Sequence, residues 1–398
     1  MSTVGRIVTV ALAVAAILVM FPAIATPRRA FACPTGVTLA AGSAHATAPA
    51  CANAAWSYGH SWYITNISDG AMAALADVDA EWADTACSHS PATSDYLTIL
   101  NFGRPAEKSG QYGLFSIFVG GFMPYTQVAT LTEQYVREWY GRVSNCPRLH
   151  LAIGTGNDYQ CYDSDAACSV LIAGEQFNAL AQSVRHYVAT QGYDWQVTIW
   201  AADDIEGGWD QWACNPSDCT GPQTRDFLMG FAAQERQQIT SNHLVLLDYG
   251  DAAWGSQTIQ EQEGQSGPMW TQQNMYDAAW GLGWDVPLPE TYWRGQTARW
   301  QSIYIAQPGV TAYAGAMHFF GNMSECPQAD ALDLTTCYQP SDVAPAQCEQ
   351  GPGLGYDNLT GDVGAGNLNP NSYSTNIYYQ GHAHASNDPC QGVTQSRY

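Results

Sequence analysis

The chain has 398 residues, of which 36 are Asp or Glu and 14 are Lys or Arg, so its formal net charge is −22. An acid excess of this size argues against nucleic acid as a partner, because phosphate binding needs clustered cations. It also argues against a polybasic membrane-surface role. Since 46% of the residues are apolar and 13% are charged, we expect a large buried core rather than a disordered acidic tail.

The N-terminus is typical of a secretory signal peptide. Arg6 supplies the positive region, residues 7–21 are apolar apart from one Thr, and Ala23-Ile24-Ala25 provides small residues for cleavage. Ala30-Phe31-Ala32 offers a second cleavage position. An uncleaved anchor is the alternative, because the apolar segment nearly has the length of a membrane span. We expect residues 1–32 to contain a cleaved signal and the product to be secreted or cell-surface associated, without further membrane contact.

The 12 cysteines all follow both cleavage positions. An even number of cysteines in an exported protein predicts disulfides. Cys161 and Cys168, and likewise Cys214 and Cys219, are close enough in sequence for local pairs, but the spacing does not determine the connectivity. None of the spacings is C-x-x-C, so no structural zinc site is predicted.

The middle of the chain alternates between short apolar runs and helical periodicity. Eight runs predict β-strands, at residues 96–101, 112–120, 149–153, 197–202, 243–247, 269–272, 286–292 and 311–320. Helical spacing of apolar residues covers 130–143, 175–190, 224–238 and 295–306, and a short helix ends at Gly281. The helix over 175–190 is expected to stop at Gly192.

Apolar strands that alternate with helices predict a parallel sheet buried on both faces, and eight of them favour an α/β fold of the (β/α)8 TIM-like barrel type. The barrel is assigned to residues 96–321 and is irregular between strands one and two, which no helix separates. Residues 33–95 form an N-terminal lead-in. Residues 322–398 form a Cys/Gly/Pro-rich extension, which is expected to need disulfides or packing against the barrel. No G-x-G-x-x-G opens the first helix, so a dinucleotide-binding sheet is disfavoured.

In such a barrel the catalytic groups lie at the carboxyl ends of the strands. The most informative segment is A-A-D-D-I-E-G-G-W, in which Asp204 and Glu206 are two residues apart and therefore point to the same side of an extended chain. Like charges so placed raise at least one carboxyl pKa, which suits a general acid. Trp209 and Trp212 follow and could stack on a sugar ring. A loop-ordering acidic turn is the alternative.

Other strand ends supply further candidates. Glu290 ends the predicted seventh strand and faces strand four across the barrel, although a surface Glu beside two prolines is an equal alternative. Asp248 is either a catalytic positioning group or an Asx-turn residue. The expected substrate contacts are Asn101, Asp203, Trp209, Trp212, Tyr249, Tyr292 and His318, and for His318 a packed strand-end role is the stronger interpretation.

A D-x-E motif at a strand end in an exported aromatic-rich barrel resembles the barrels related to family 25 lysozymes. The ordered segments N-F-G, L-A-I-G-T, D-D-I-E and L-P-E-T-Y are similar to a group of exported actinobacterial proteins. The resemblance implies a barrel fold and a carbohydrate substrate, with Glu206 as general acid and Asp204 as its partner. Asn101 departs from the family pattern, which would place an Asp on strand one. Glu290 instead resembles the nucleophile of enzymes with the acid on strand four and the nucleophile on strand seven.

The sequence thus predicts a secreted, monomeric glycoside hydrolase that acts on a polysaccharide or cell-wall glycan. Its candidate catalytic residues are Glu206, Asp204, Glu290 and Asp248, with no cofactor and no metal. A non-catalytic glycan-binding protein or a structural envelope protein on the same scaffold is the alternative. Retaining and inverting mechanisms both stay open, because they depend on the distance between Glu206 and Glu290.

Overall fold

The computed structural model describes residues 56–68, 70–89, 95–116, 118–161, 169–207, 224–237, 243–251, 270–282, 284–290, 300–303, 313–319 and 368–379. The predicted signal peptide and the local cysteine pairs 161/168 and 214/219 lie wholly or partly outside these residues. Among the described helices, none combines the length and the hydropathy needed to cross a bilayer.

The protein is a mixed α/β structure whose main sheet has eight strands. These strands are β1 (Trp56–Tyr63), β2 (Asp95–Asn101), β6 (Arg148–Gly156), β8 (Val197–Asp204), β9 (Leu246–Asp248), β10 (Asp285–Pro287), β11 (Tyr313–Phe319) and β12 (Leu368–Tyr379). The hydrogen-bonded order is β10-β9-β8-β6-β2-β1-β12-β11, and every neighbouring pair is parallel. The predicted parallel α/β architecture is therefore confirmed.

The strand assignment from sequence differs from the structure at four places. In the predicted strand at 269–272, the described residues 270–272 form no strand, because Thr271 caps the N-terminus of a helix there and accepts a hydrogen bond from the Asn274 amide. The predicted second strand, residues 112–120, lies outside the main sheet. Two strands come from segments assigned elsewhere: β1 belongs to the lead-in and β12 to the C-terminal extension. The sheet thus extends beyond residues 96–321 at both ends.

A second sheet is inserted after β2. It contains β3 (Arg104–Lys108), β4 (Gln111–Ser116), β5 (Gly121–Pro124) and β7 (Gln160–Cys161), in the order β5-β4-β3-β7. The β3–β4 hairpin turns at Ser109 and Gly110, whose φ angles are 53° and 75°. Two successive positive φ angles are typical of the two-residue turn that matches the twist of a hairpin. This insertion explains why no helix separates the predicted first and second strands.

Five helices of nine residues or more are described: α1 (Ala71–His89), α2 (Tyr125–Arg142), α3 (Val170–Gln191), α4 (Thr224–Arg236) and α5 (Gln272–Trp280). The predicted end of α3 is confirmed, since Gly192 adopts a left-handed φ of 73° and caps the helix. At its other end the Ser169 side chain accepts a hydrogen bond from the Ile172 amide.

The main sheet separates two hydrophobic clusters. The larger cluster lies between the sheet and the helices. The smaller one, here called the inner cluster, contains strand and strand-end residues only: Leu97, Ile99, Ala152, Ala202, Leu247, Tyr249 and Leu288. Successive strand residues alternate between the two clusters, as the pleat requires. The strands β2, β6, β8 and β9 are therefore buried on both faces, which is the usual condition of a parallel sheet.

A buried carboxylate fixes α1 against the helix side of the sheet. Asp79 is fully buried and accepts hydrogen bonds from the Trp62 indole, the Thr98 hydroxyl and the Tyr135 hydroxyl. His60 Nδ1 lies 2.5 Å from the same carboxylate. Because a buried charge is tolerated only when it is fully hydrogen-bonded, these contacts set the register of α1 on β1 and β2.

Candidate functional site

Three carboxylates converge at the carboxyl end of the main sheet. Asp204 ends β8, Glu206 follows it by two residues, and Glu290 follows β10. One carboxylate oxygen from each of the three lies within 4.8 Å of the others. The side chains of Asp204 and Glu206 thus reach the same place, as their spacing in an extended segment predicts.

Glu290 reaches this place from the sixth strand of the sheet in chain order. The prediction from sequence counted it as the seventh. That count included two runs that are not strands of the main sheet, at 112–120 and 269–272, and it omitted β1. Asp204 does lie on the fourth strand. Strands four and six are separated only by β9 in the sheet, so the two glutamates converge from nearby strands.

The backbone between these strands brings the carboxylates together. The Tyr249 amide donates to the Asp203 carbonyl at 3.0 Å, and the Glu290 amide donates to the Gly250 carbonyl at 3.2 Å. Gly250 packs so closely on Ile205 that a Cβ would lie 2.2 Å from the Ile205 carbonyl oxygen. Only glycine allows this approach. The close contact places the segment after β8 directly beside the segment after β9.

Asn157 holds the backbone of Glu206 from the neighbouring strand end. Its Oδ1 accepts a hydrogen bond from the Glu206 amide at 3.1 Å, and its Nδ2 donates to the Glu206 carbonyl at 3.0 Å. Nδ2 also donates to Oγ1 of Thr224, the first residue of α4. Asn157 is 6% exposed, so this side chain fixes the segment that presents Glu206 without competition from bulk water.

The pKa of the Asp204 carboxyl group is shifted towards neutral pH. Burial raises its pKa from 3.8 to about 7, the hydrogen bond from Tyr63 opposes this rise, and the charge of Asp251 adds to it. The Tyr63 hydroxyl donates to Oδ2 at 2.7 Å. Oδ1 is buried and has no hydrogen-bond partner among the described residues. A carboxyl group in this environment can retain a proton near neutral pH.

Asn101 and Tyr249 meet below the carboxylates. Asn101 Nδ2 donates to the Tyr249 hydroxyl at 2.7 Å, and that hydroxyl donates to the Thr155 carbonyl at 2.9 Å. A Cβ on Gly154 would lie 3.0 Å from the same hydroxyl, so glycine leaves space for it. Tyr249 is fully buried and Asn101 is 3% exposed. Both predicted substrate contacts are therefore engaged in the support of the site.

Asp203 and Asp248 are buried but are not part of the three-carboxylate cluster. Alternation along β8 places Asp203 on the helix side with Ala201, whereas Asp204 shares the inner side with Ala202. Asp248 Oδ1 accepts a hydrogen bond from the Gly250 amide at 3.3 Å, which is the Asx-turn geometry. Burial, the largest cause, raises the Asp248 pKa well above its ordinary value.

The remaining predicted contacts are described only in part. Trp209, Trp212 and Tyr292 lie outside the described residues. His318 is on β11, where its backbone is in register with Asn376 of β12. The stacking roles predicted for the tryptophans and Tyr292 stay predictions.

Two residues of the site were missed from sequence. Tyr63 ends the segment W-S-Y-G-H-S-W-Y, whose aromatic content is a strand signal that could have been used. Asn157 follows the strand-ending G-T-G and has no local signal that separates it from a turn residue. Its role depends on β8 lying beside β6.

Chemically, the cluster offers paired carboxylates for acid/base or nucleophilic work. The same three oxygens are also close enough to share a hard divalent cation such as Mg²⁺ or Ca²⁺. Asp204, Glu206 and Glu290 are the residues that would hold such an ion.

No protein-family model, curated protein or solved structure matches this chain. The site is therefore interpreted from its own geometry and chemistry.

Proposed function

We propose that the protein is a secreted glycoside hydrolase that cleaves a polysaccharide or cell-wall glycan with retention of configuration. The observation that supports this proposal is the approach of the Glu206 and Glu290 carboxylate oxygens to within 4.8 Å. Retaining enzymes place their two carboxyl groups about 5–5.5 Å apart, whereas inverting enzymes need about 6.5–9.5 Å to admit a water molecule. The spacing is closer to the retaining class.

In the proposed reaction, Glu206 protonates the glycosidic oxygen as the bond from that oxygen to the anomeric carbon breaks. Glu290 attacks the anomeric carbon from the opposite side and forms a glycosyl ester. Glu206, now a carboxylate, removes a proton from water, which attacks the same carbon and releases Glu290. Asp204 holds a proton beside the pair near neutral pH, so it limits the charge repulsion that three ionised carboxylates would produce.

We propose further that the main sheet closes into a (β/α)8-like barrel. If the two ends of the sheet were joined, its strands would follow one another around the ring in chain order, from β1 to β12 and back to β1. The two strands at those ends, β10 and β11, lie in contact. The inner cluster is formed by strand and strand-end residues alone, as in the filled interior of a barrel. Closure would place the carboxylates in the usual catalytic position of this fold.

Export is the third part of the proposal and has its own measurement. The N-terminal residue of the protein recovered from the medium or the cell surface should be Thr26 or Cys33. A recovered protein that begins at the first residues of the chain would instead support an anchor.

The hydrolysis test uses Glu206→Gln with Glu81→Gln as its control, because Glu81 is an exposed carboxylate of α1. We expect Glu206→Gln to lose about 10²–10⁴-fold of kcat and Glu81→Gln to keep wild-type turnover. The substrates are chitin, cellulose, xylan and peptidoglycan, and ¹H NMR of the first product reports its anomeric configuration. Undiminished turnover in Glu206→Gln would remove the assignment, and an inverted product would remove the nucleophile role of Glu290.

Two further measurements distinguish the proposed hydrolase from a metal-dependent site and from a non-catalytic glycan-binding protein. Dialysis against EDTA should leave turnover unchanged, whereas its loss and recovery with Mg²⁺ or Ca²⁺ would favour a metal site at the same carboxylates. Saturable glycan binding without released reducing ends would favour the non-catalytic glycan-binding protein instead.

A further inference from the structure

An aromatic cluster lies at the opposite end of the sheet from the carboxylates. Trp195 lies two residues before the start of β8, Tyr193 follows the end of α3, and Tyr140 lies in the last turn of α2. These three residues are here called the aromatic platform. Because β8 begins at Val197 and ends at Asp204, the platform and the carboxylates are on opposite ends of the same strand.

The platform presents an indole ring to solvent. Trp195 is 49% exposed, more than any other large hydrophobic residue of the described part of the chain. Its Nε1 donates a hydrogen bond to the Tyr140 hydroxyl at 2.9 Å, and the two rings are nearly perpendicular, with their centroids 6.1 Å apart. Nε1 lies on the edge of the indole, so this bond orients the ring without covering its faces.

The two tyrosines of the platform are fixed by contacts between their rings. Tyr140 stacks on Tyr193 with ring centroids 4.0 Å apart and an angle of 26° between the planes. Tyr193 also contacts Tyr187 of α3 edge to face. The hydroxyl that orients Trp195 is therefore fixed by ring packing from two helices.

The loop that carries Trp195 is also fixed by its next residue. Gln196 is 3% exposed, and its Nε2 donates to the Ser144 and Pro147 carbonyls, both at 2.7 Å. Between these two residues, Cys146 is paired with Cys87 at the end of α1. An exposed tryptophan on a braced loop loses little conformational entropy when it binds a partner.

The size of the platform restricts the class of its partner. A stable protein interface covers about 800 Å² on each side, whereas one aromatic side chain contributes about 150–250 Å². The chain around the indole is polar, since Gln191 and Asp194 are exposed. One flat apolar surface with polar neighbours fits a ring that has an apolar face and hydroxyls at its edge.

We infer that the aromatic platform is a second glycan-binding site, on which a sugar ring of the polysaccharide stacks against Trp195 while its hydroxyls bind neighbouring polar groups. The choice of a glycan rests on the proposed function. The platform would attach the protein to an extended substrate at a point remote from the cleavage site, so that it contributes to binding of polymers and not to the bond-breaking step.

The test measures retention of the full exported protein on insoluble chitin, cellulose and peptidoglycan, in a Glu206→Gln background that prevents hydrolysis. We expect Trp195→Ala to weaken retention on one of these glycans at least tenfold and Trp195→Phe to restore most of it, since a phenyl ring still offers a stacking face. Met229→Ala is the matched control, because Met229 is 43% exposed on α4. Thermal unfolding of each variant verifies the fold.

The outcomes separate this inference from the proposed function. Loss of retention in Trp195→Ala supports the platform even if no glycan is hydrolysed, a result that would overturn only the hydrolase. Equal retention of Glu206→Gln with and without Trp195→Ala, or no retention of Glu206→Gln on any probe, overturns the platform even if hydrolysis by wild type is found. A wild-type dimer that Trp195→Ala converts to a monomer in sedimentation would also overturn it, because a second copy would then cover the indole.

Discussion

The Tyr63 hydroxyl donates a 2.7 Å hydrogen bond to Asp204 Oδ2, which joins the end of the first strand to the end of the fourth. Burial keeps the Tyr63 pKa well above its ordinary value, and the charge of Asp204 raises it further. The hydroxyl therefore stays protonated and acts as a donor. It also opposes the effect of burial on Asp204, because a donated hydrogen bond stabilises the carboxylate form.

Tyr63→Phe removes this donor, so we expect the pKa of Asp204 to rise above its value of about 7. A pH titration of ¹³C-labelled Asp side chains by NMR measures the shift directly. Tyr140→Phe is the control, since it removes a hydroxyl at the other end of β8. An Asp204 midpoint that does not move in Tyr63→Phe would show that the hydrogen bond has no effect on its protonation.

Asp204 should make the stability of the protein depend on pH. Its pKa is raised in the folded protein from 3.8 to about 7, so the folded state binds more protons than the unfolded state between these values. The contribution of Asp204 to the free energy of unfolding is therefore full below about pH 4 and decreases, by up to about 4 kcal/mol, as the pH rises to about 7.

Asp204→Asn should remove that dependence and unfold at higher denaturant concentration than wild type above pH 7. Urea unfolding at pH 4, 5.5 and 7.5 measures the difference, with Asp226→Asn on the surface of α4 as the control. A constant difference between Asp204→Asn and wild type over this range would contradict the shifted pKa.

Asn157→Ala removes the side chain that holds the Glu206 backbone. We expect a loss of about 10²-fold in kcat with a small change in KM, because a displacement of about 1 Å is enough to misalign a catalytic group. The free energy of unfolding should fall by about 1–3 kcal/mol.

Asn178→Ala separates the two effects of this substitution. Asn178 is fully buried and donates to the Glu235 carboxylate between α3 and α4, away from the cluster. It should show a similar loss of stability with an unchanged kcat. Equal kcat losses in the two variants would assign the effect of Asn157 to stability alone.

Gly250→Ala should displace the segment after β9, since its Cβ would lie 2.2 Å from the Ile205 carbonyl oxygen. We expect the free energy of unfolding to fall by about 1–3 kcal/mol. Gly141→Ala is the matched control: apart from the neighbouring backbone of α2 itself, a Cβ at this position would meet no atom within 4 Å. The higher helix propensity of alanine should therefore stabilise this variant by about 1 kcal/mol. Thermal unfolding compares both, and a neutral Gly250→Ala would refute the close packing.

The sequence predicted eight strands, and the main sheet has eight, but two predicted strands are not in it and two of its strands were not predicted. The apolar runs at 149–153 and 197–202 were placed correctly because buried parallel strands are continuously apolar. The run at 112–120 contains most of β4, which lies in the second sheet, and the run at 269–272 ends where a helix begins, at Gln272. The strands β1 and β12 contain many polar and aromatic residues, so apolar continuity did not identify them.

The sequence by itself determined the parallel α/β architecture, the end of α3 at Gly192 and the common side of Asp204 and Glu206. Each follows from local rules: apolar periodicity, the left-handed conformation of glycine and the two-residue repeat of an extended chain. Only the tertiary structure decided that Glu290 joins Asp204 and Glu206, that Tyr63 and Asn157 support them, and that Asp203 faces the helices. These contacts join residues from 49 to 141 positions apart, and their distances depend on which strands are neighbours, a property that no short segment of the chain contains.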